Sequence, residues 1–174
     1  MTVRKIRIWP DPVLLQVSKP VEKFDNSLKA LVQDMIDSMK DVGNSAGLAA
    51  PQIGVPFRLF IADIPSEQNE GNGTNGPEAF ANPEFILKEG QFEWEEGCLS
   101  IPGERGRVKR AYRVIMRYQD LEGVFHEREA FDYLSGCFQH EADHLNGKLW
   151  IDYQSTLKKD LVRKKMLKLK ALEE

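Results

Sequence analysis

The sequence has 174 residues, of which 41% are hydrophobic and 29% charged, and a net charge of −3. This length and composition predict a single globular domain over residues 1–174, and the lack of a basic excess excludes an obvious DNA-binding protein. With two cysteines and no apolar run of signal-peptide or membrane-spanning length, we expect a protein of the reducing cytoplasm, without disulfides or membrane contact.

The N-terminal half predicts an arm, a helix and a strand. Pro10 and Pro12 prevent a continuous helix, so residues 9–15 are expected to form an extended arm and a short turn. A helix is predicted to begin at Asp25 or Asn26 and to end before Gly43, because apolar residues recur at helical spacing between them. Residues 43–52 are small and irregular, residues 57–64 read as a strand, and residues 65–77 as a surface loop.

The second half predicts strands followed by helices. Strands are expected at residues 85–87, 92–94, 108–118 and 124–131, with a turn at 120–123 joining the last two. A final helix is predicted over residues 155–174, with an apolar side made of Leu157, Leu161, Met166 and Leu169. This order predicts an α+β fold of mostly antiparallel sheets, packed around a central metal-binding helix, with an N-terminal and a C-terminal helix.

The stretch from Gln139 to Gly147 contains two of the three histidines and is expected to lie on the central helix. On a helix, His140 and His144 project from one face about 6 Å apart along the axis, which suits two imidazole nitrogens binding one ion. Glu141 then lies beside the ion without being a ligand and can accept a proton from water that the ion activates. Asp132 is a plausible helix start, and Asn146-Gly147 a stop.

A catalytic site of this kind needs a third protein ligand. His126 lies in a segment of alternating character, at an expected exposed strand position. Cys137 shares a helix face with His140, but its short side chain leans towards the helix N-terminus, away from an ion between the histidines. Cys98 remains as the third ligand, beside a glycine that permits close approach.

Three segments together resemble the motifs of the peptide deformylase family, in the same order and at similar separations. They are Gly47-Leu-Ala-Ala-Pro-Gln52, Glu96-Gly-Cys-Leu-Ser100 and Gln139-His-Glu-Ala-Asp-His-Leu-Asn-Gly147. The resemblance covers nearly the whole chain, and the second and third motifs are highly specific together. One departure is Ser45, two residues before Gly47, where such families usually have glycine.

The resemblance implies a metal-dependent hydrolase that removes the formyl group from the N-terminal formylmethionine of nascent polypeptides and releases formate. It implies Cys98, His140 and His144 as ligands, with Gln52 and the backbone N–H of Leu99 stabilising the oxyanion. It also implies Fe²⁺ as the physiological metal. Zn²⁺ or another divalent ion is an expected substitute, since a thiolate suits softer metals and zinc binds more tightly in the usual order.

The resemblance also suggests how a formyl group is selected. Gly47, Leu48 and Leu99, carried beside the ion by the first two motifs, are candidates for a tight wall that admits formyl and rejects larger acyl groups. Arg105 occupies a position that in the family lies near the site mouth, where it would meet peptide carbonyls. A solvated loop charge is the alternative for Arg105.

The methionine side chain of such a substrate requires an apolar slot. Tyr133 and Cys137 lie two turns and one turn before His140 on its helix face, so both are candidates for lining that slot.

Seven lysines and arginines lie between Lys158 and Lys170 in the final helix. Such a run is usually a solvated face, but a basic helix on an acidic enzyme of nascent chains is also suited to contact the RNA-rich ribosome.

Two other classes remain open from the sequence. A zinc endopeptidase shares the His-Glu-x-x-His pattern but commonly takes histidine or glutamate as its third ligand, against which Cys98 argues. A non-enzymatic module stabilised by metal would require four protein ligands and no water.

Overall fold

The computed structural model describes residues 2–173, which contain three α-helices and seven β-strands. In chain order these are α1 (Asn26–Val42), β1 (Gly47–Ala49), β2 (Leu59–Ala62), β3 (Glu78–Glu89), β4 (Phe92–Cys98), β5 (Ile101–Arg110), β6 (Arg113–Gln119), β7 (Phe125–Phe131), α2 (Asp132–Leu145) and α3 (Thr156–Glu173).

The strands form two antiparallel sheets. One has five strands in the order β1-β2-β3-β6-β7, and the other pairs β4 with β5. The α+β prediction is therefore confirmed, with α2, the helix that carries His140 and His144, packed against the larger sheet.

The strand β2 shows how the larger sheet is covered on both faces. Side chains alternate along a strand, and in β2 Phe60 and Ala62 pack with Phe138 of α2, whereas Leu59 and Ile61 join the cluster formed with α1. All four β2 residues are buried. Burial on both faces explains why this strand reads as a continuous apolar run.

The predicted N-terminal elements are present. The Asp25 carboxylate accepts hydrogen bonds from the backbone N–H groups of Ser27 and Leu28, so α1 begins at the next residue, Asn26, and it ends before Gly43. The preceding arm includes a 3-10 turn at Pro12–Leu15. Backbone N–H groups of the arm donate to Gln52 O (from Arg7, 2.7 Å) and Ser100 O (from Trp9, 2.9 Å), which fixes two of the motif segments.

Several strand boundaries differ from the prediction. Residues 43–52 contain the short strand β1 followed by a 3-10 turn. The predicted strand 57–64 is shorter in the structure, where β2 extends only from Leu59 to Ala62. The predicted strand 108–118 is two strands, because the chain turns at Ala111 and Tyr112 between β5 and β6. Most of β5 escaped prediction, since it contains Gly103, Gly106 and a proline among charged residues and lacks a clean alternating pattern.

The helix α2 has the predicted limits. It begins at Asp132 and ends at Leu145, with Asn146 and Gly147 after it. The φ of Gly147 is +73°, and a Cβ there would lie 2.5 Å from the carbonyl oxygen of Leu15, so this stop requires glycine for both conformation and space.

The apolar side predicted for α3 is wrong in its first half. Leu157 and Leu161 are 71% and 51% exposed, whereas Val162 and Met166 are buried in a cluster with Trp9 and Trp150, and Leu169 packs against it. The helix is rotated so that its buried line runs through Val162, a residue that the predicted stripe omitted. Within residues 2–173, no helix combines the length and apolar character needed to cross a bilayer.

Candidate active site

Cys98, His140 and His144 are brought together by two parts of the fold, because Cys98 ends β4 and both histidines lie on α2. Each offers one ligand atom, and the three atoms lie within 4.8 Å of one another. Cys98 Sγ lies 3.5 Å from His144 Nε2, and the two imidazole ring centroids are 5.1 Å apart. A sulfur and two nitrogens that leave a coordination position open are a suitable donor set for a divalent transition metal.

Glu96 fixes the ring of His140. The Nδ1–H of His140 donates to Glu96 Oε1 at 2.6 Å, which leaves Nε2 for an ion. Arg110 donates to both carboxylate oxygens of Glu96, at 2.7 and 2.9 Å, and to Asp143 Oδ2 at 2.6 Å. Burial alone would raise the pKa of Glu96, but the hydrogen bonds from His140 and Arg110 lower it to about 2.

Arg110 and Asp143 extend this network to the surface. The Arg110 side chain is 4% exposed and its guanidinium lies 4.9 Å from the ring centroid of Tyr153, whose hydroxyl donates to Asp143 at 2.8 Å. Removing one partner of such a buried ion pair leaves the other charge uncompensated, which is strongly destabilising. The network therefore holds the carboxylate of Glu96 rigidly behind His140.

Glu141 lies beside this cluster, and one of its carboxylate oxygens has no hydrogen-bond partner within residues 2–173. It is 5% exposed, and its Oε2 is buried with no hydrogen-bond partner among the described residues. Burial raises the pKa of Glu141 to about 7. A carboxylate with a free oxygen and a pKa near neutrality is suited to accept a proton and return it.

Gln52 is oriented towards Cys98. Its Oε1 accepts a hydrogen bond from the Ala49 N–H at 2.9 Å, so its Nε2 must face the site, where it donates to Cys98 Sγ (3.3 Å) and Ser100 Oγ (3.1 Å). The 3-10 turn that carries Gln52 is buried.

A cavity of about 610 Å³ opens over these groups. Its polar end contains Cys98, Gln52, His140 and Glu141, and the remaining lining is formed mainly by residues of α2, the β4–β5 sheet and the segment before β1. This arrangement joins a metal-ligand cluster, a base and an amide donor to one substrate-sized space.

Comparisons with known proteins agree with this geometry. The polypeptide deformylase family model matches residues 3–160. The peptide deformylase of Mesorhizobium japonicum is 45% identical over 170 residues, covering 97% of this chain and 94% of that protein. The chain belongs to the polypeptide deformylase family. The family is one of metallo-hydrolases that remove the N-formyl group from nascent peptides.

Solved structures support the same family membership. A Legionella pneumophila peptide deformylase has a TM-score of 0.87 and 43% identity, covering 99% of this chain and 98% of that one. An Ehrlichia chaffeensis peptide deformylase, solved in complex with actinonin, has a TM-score of 0.90 and 36% identity, covering 97% and 98%.

Most of the pocket residues expected from the deformylase resemblance line the cavity. Gly47, Leu99, Tyr133, Cys137 and Arg105 are all part of its lining. Gly47 leaves necessary space, because a Cβ there would lie 2.9 Å from Glu141 Oε1. Burial raises the pKa of the Cys137 thiol well above its usual range, which keeps it neutral.

The structure does not bring the side chain of Leu48 to the cavity. Leu48 is fully buried and packs in the cluster with α1, on the opposite face of β1 from Gly47. Because side chains alternate along a strand, Gly47 and Leu48 cannot both face the same wall. The expected wall is therefore formed without the Leu48 side chain.

Arg105 is 61% exposed and its Nε lies 3.5 Å from Glu95 Oε1 at the cavity mouth. His126 is exposed on β7, 2.6 Å from Asp120. Ser45 donates its hydroxyl to Gly47 O at 2.8 Å, and the residue with positive φ is its neighbour Asn44, so serine meets no backbone strain there.

Sequence reasoning missed Arg110, Asp143 and Trp94. Asp143 lies three residues after His140 inside the third motif, a spacing that places it near that histidine's helix face. Arg110 and Trp94 come from strands distant in sequence, so only the fold relates them to the motifs.

Proposed function

We propose that this protein hydrolyses the N-terminal formyl group of formylmethionyl nascent peptides to formate and a free amino terminus. The observation that carries this proposal is that Cys98, His140 and His144 converge within 4.8 Å. Beside them, Glu141 has an unengaged buried oxygen in the same cavity.

Cys98, His140 and His144 would hold one divalent ion. When bound, such an ion lowers the pKa of water towards neutrality and polarises a carbonyl. We infer Fe²⁺ as the physiological metal, with Zn²⁺ or another divalent ion as a substitute, because a thiolate and two imidazoles accept several softer metals.

Glu141 would act as the general base and acid. It is not needed as a ligand, and its buried carboxylate can accept a proton from the attacking water and deliver it to the departing amine. The Gln52 amide, already oriented by Ala49, would donate to the developing oxyanion together with the Leu99 backbone N–H.

Substrate selection would use two parts of the cavity. Gly47 and Leu99 would form the wall next to the reacting carbonyl, where a formyl group fits and an acetyl group meets steric hindrance. Tyr133 and Cys137 would line the slot for the methionine side chain, and Arg105 at the mouth would bind peptide carbonyls.

The test offers three substrates to the metal-loaded protein: formyl-Met-Ala-Ser, acetyl-Met-Ala-Ser and an unmodified longer peptide. We expect formate release from the first and rates lower by orders of magnitude on the other two. Comparable rates on all three would contradict a closed wall and favour an endopeptidase.

We further propose that residues 1–174 form one catalytic domain acting in the cytoplasm, where nascent chains are made, and that α3 contacts the ribosome. Lys164 and Lys168 lie one turn apart on the solvent side of α3, together with the exposed Leu161. Cations at this spacing are suited to bind RNA phosphates.

Ribosome co-sedimentation at several salt concentrations tests the α3 contact. Lys164→Glu/Lys168→Glu should abolish binding, whereas Lys29→Glu/Lys40→Glu, an equal charge change on α1, should leave it intact. Equal binding by both variants would contradict a role for α3. Charge reversal is preferred to deleting the helix, because Val162 and Met166 belong to the core.

A further inference from the structure

Trp94 forms a wall of the cavity although it lies in none of the three motifs. Its indole packs over Gly136 of α2, where a Cβ would lie 2.4 Å from Trp94 Cζ2. Tyr133 of the same helix meets the indole edge to face, with ring centroids 5.2 Å apart and planes at 88°. The absence of a side chain at residue 136 thus creates the space that the indole fills.

The same indole is hydrogen-bonded to the carboxylate behind the metal ligand. Trp94 Nε1–H donates to Glu96 Oε2 at 2.7 Å, and Glu96 Oε1 receives the Nδ1–H of His140 at 2.6 Å. Arg110 occupies the remaining positions of this carboxylate. A path of two hydrogen bonds therefore joins the ring that lines the cavity to a ligand of the metal.

We propose that Trp94 is a positioning residue that couples occupancy of the methionine slot to the orientation of His140 through Glu96. This inference deepens the proposed function and depends on it for the identity of the substrate. A side chain that enters the slot and contacts the indole would hold the ring in the position in which its N–H meets Glu96. The correct first residue of the substrate would then tighten the metal site, not only bind to it.

The proposal assigns separate consequences to the ring and to its N–H group. The face of the ring supplies apolar contact, which affects KM. The N–H group holds Glu96 and through it His140, which affects kcat and retention of the ion. Trp94→Phe keeps an aromatic wall and removes the donor, so it separates the two roles.

We expect Trp94→Phe to lower kcat on formyl-Met-Ala-Ser and to accelerate ion release to a chelator, each by about tenfold to a hundredfold. KM should change less than kcat.

Phe92→Leu is the matched control, because the Phe92 ring centroid lies 5.6 Å from that of Trp94 but Phe92 makes none of the hydrogen bonds to Glu96. Its kcat and ion release should equal those of the unmodified protein. Unchanged ion release in Trp94→Phe would overturn the proposal.

A measurement on the unsubstituted protein removes the dependence on that variant. The chain has three tryptophans, and Trp9 and Trp150 are buried in the cluster with α3. In zinc-loaded protein labelled with ¹⁵N-tryptophan, each indole N–H gives one NMR signal, assigned by replacing each tryptophan in turn. The product peptide Met-Ala-Ser should shift the Trp94 signal, Ala-Ala-Ser should shift it less, and the signals of Trp9 and Trp150 should remain in place.

An unmoved Trp94 signal at peptide concentrations that inhibit hydrolysis would also overturn the proposal. If the protein instead failed to hydrolyse formyl peptides, the proposed function would fail. Ion release would still decide whether Trp94 positions His140, because it requires no substrate.

Discussion

The helices α2 and α3 have comparable lengths of 14 and 18 residues, but the fold uses them differently. Ten residues of α2 are buried, polar and apolar together, whereas in α3 only Val162 and Met166 are. Burial of a polar group costs free energy unless the group is hydrogen-bonded, paired with a charge or bound to a metal. A polar residue in α2 is therefore informative about function, and a charge in α3 is informative mainly about the surface.

Gln139 illustrates this difference. It is 5% exposed, and its amide donates to Ala111 O and accepts from Ala111 N–H, which fastens α2 to the turn between β5 and β6. Glu141 is equally buried, yet its Oε2 has no such partner among residues 2–173. The burial of Gln139 is therefore explained by its hydrogen bonds to the backbone, whereas the burial of Glu141 is explained by the catalytic role that we propose for it.

The largest effect is expected on metal content, when each of the two cysteines is replaced in turn. Cys98→Ala removes one of three ligands, and two histidines on one helix are not expected to retain the ion, so metal per chain should fall from about one to near zero. Cys137→Ala should keep its metal, because Cys137 lines the cavity but its sulfur is not among the clustered ligand atoms. Metal analysis of both purified variants distinguishes them, and loss only in Cys137→Ala would reverse the ligand assignment.

Glu141→Ala should remove most activity while leaving metal and fold intact. Loss of a general base typically costs about a hundredfold to ten-thousandfold in rate. The measurements are kcat on formyl-Met-Ala-Ser, metal content and the thermal midpoint. If metal content fell with activity, Glu141 would have to be reassigned as a ligand.

The limits of α2 and the shared face of its site residues could be predicted from the sequence, because both depend only on residues close together in the chain. Helical spacing alone relates His140, Glu141 and His144, and their shared helix face follows from 3.6 residues per turn. The wall opposite them depends on contacts between distant segments, so Trp94 over Gly136 was not predicted. The Leu48 error has the same origin, since the face that a residue of a three-residue strand presents depends on pairing with β2.

The orientation of α3 was missed for a related reason. Its apolar residues fit more than one stripe, and the side that is buried is decided by Trp9 and Trp150, which are remote in sequence.

Met166→Ala should lower the free energy of unfolding by about 2–5 kcal/mol, the usual cost of truncating a buried methionine. Leu161→Ala, at a 51% exposed position, should change it by less than about 0.5 kcal/mol. Denaturant unfolding of both variants tests the rotation, and similar losses would restore the predicted stripe.

A smaller effect than that of Met166→Ala is expected where α2 meets the cavity wall. Gly136→Ala brings two opposing contributions: alanine favours an interior helix position by about 1 kcal/mol, whereas overpacking typically costs about 1–3 kcal/mol. The added Cβ would lie 2.4 Å from an indole that is held by Glu96 and Tyr133, so the ring cannot move without losing those contacts. We expect a net destabilisation of about 1 kcal/mol, together with a higher KM because the slot is deformed.

In a Trp94→Phe background the smaller ring leaves room for the methyl group, and Gly136→Ala should become neutral or stabilising. A double-mutant cycle measured by denaturant unfolding gives the coupling between the two positions, and a value near zero would mean that Gly136 is present for some reason other than the indole.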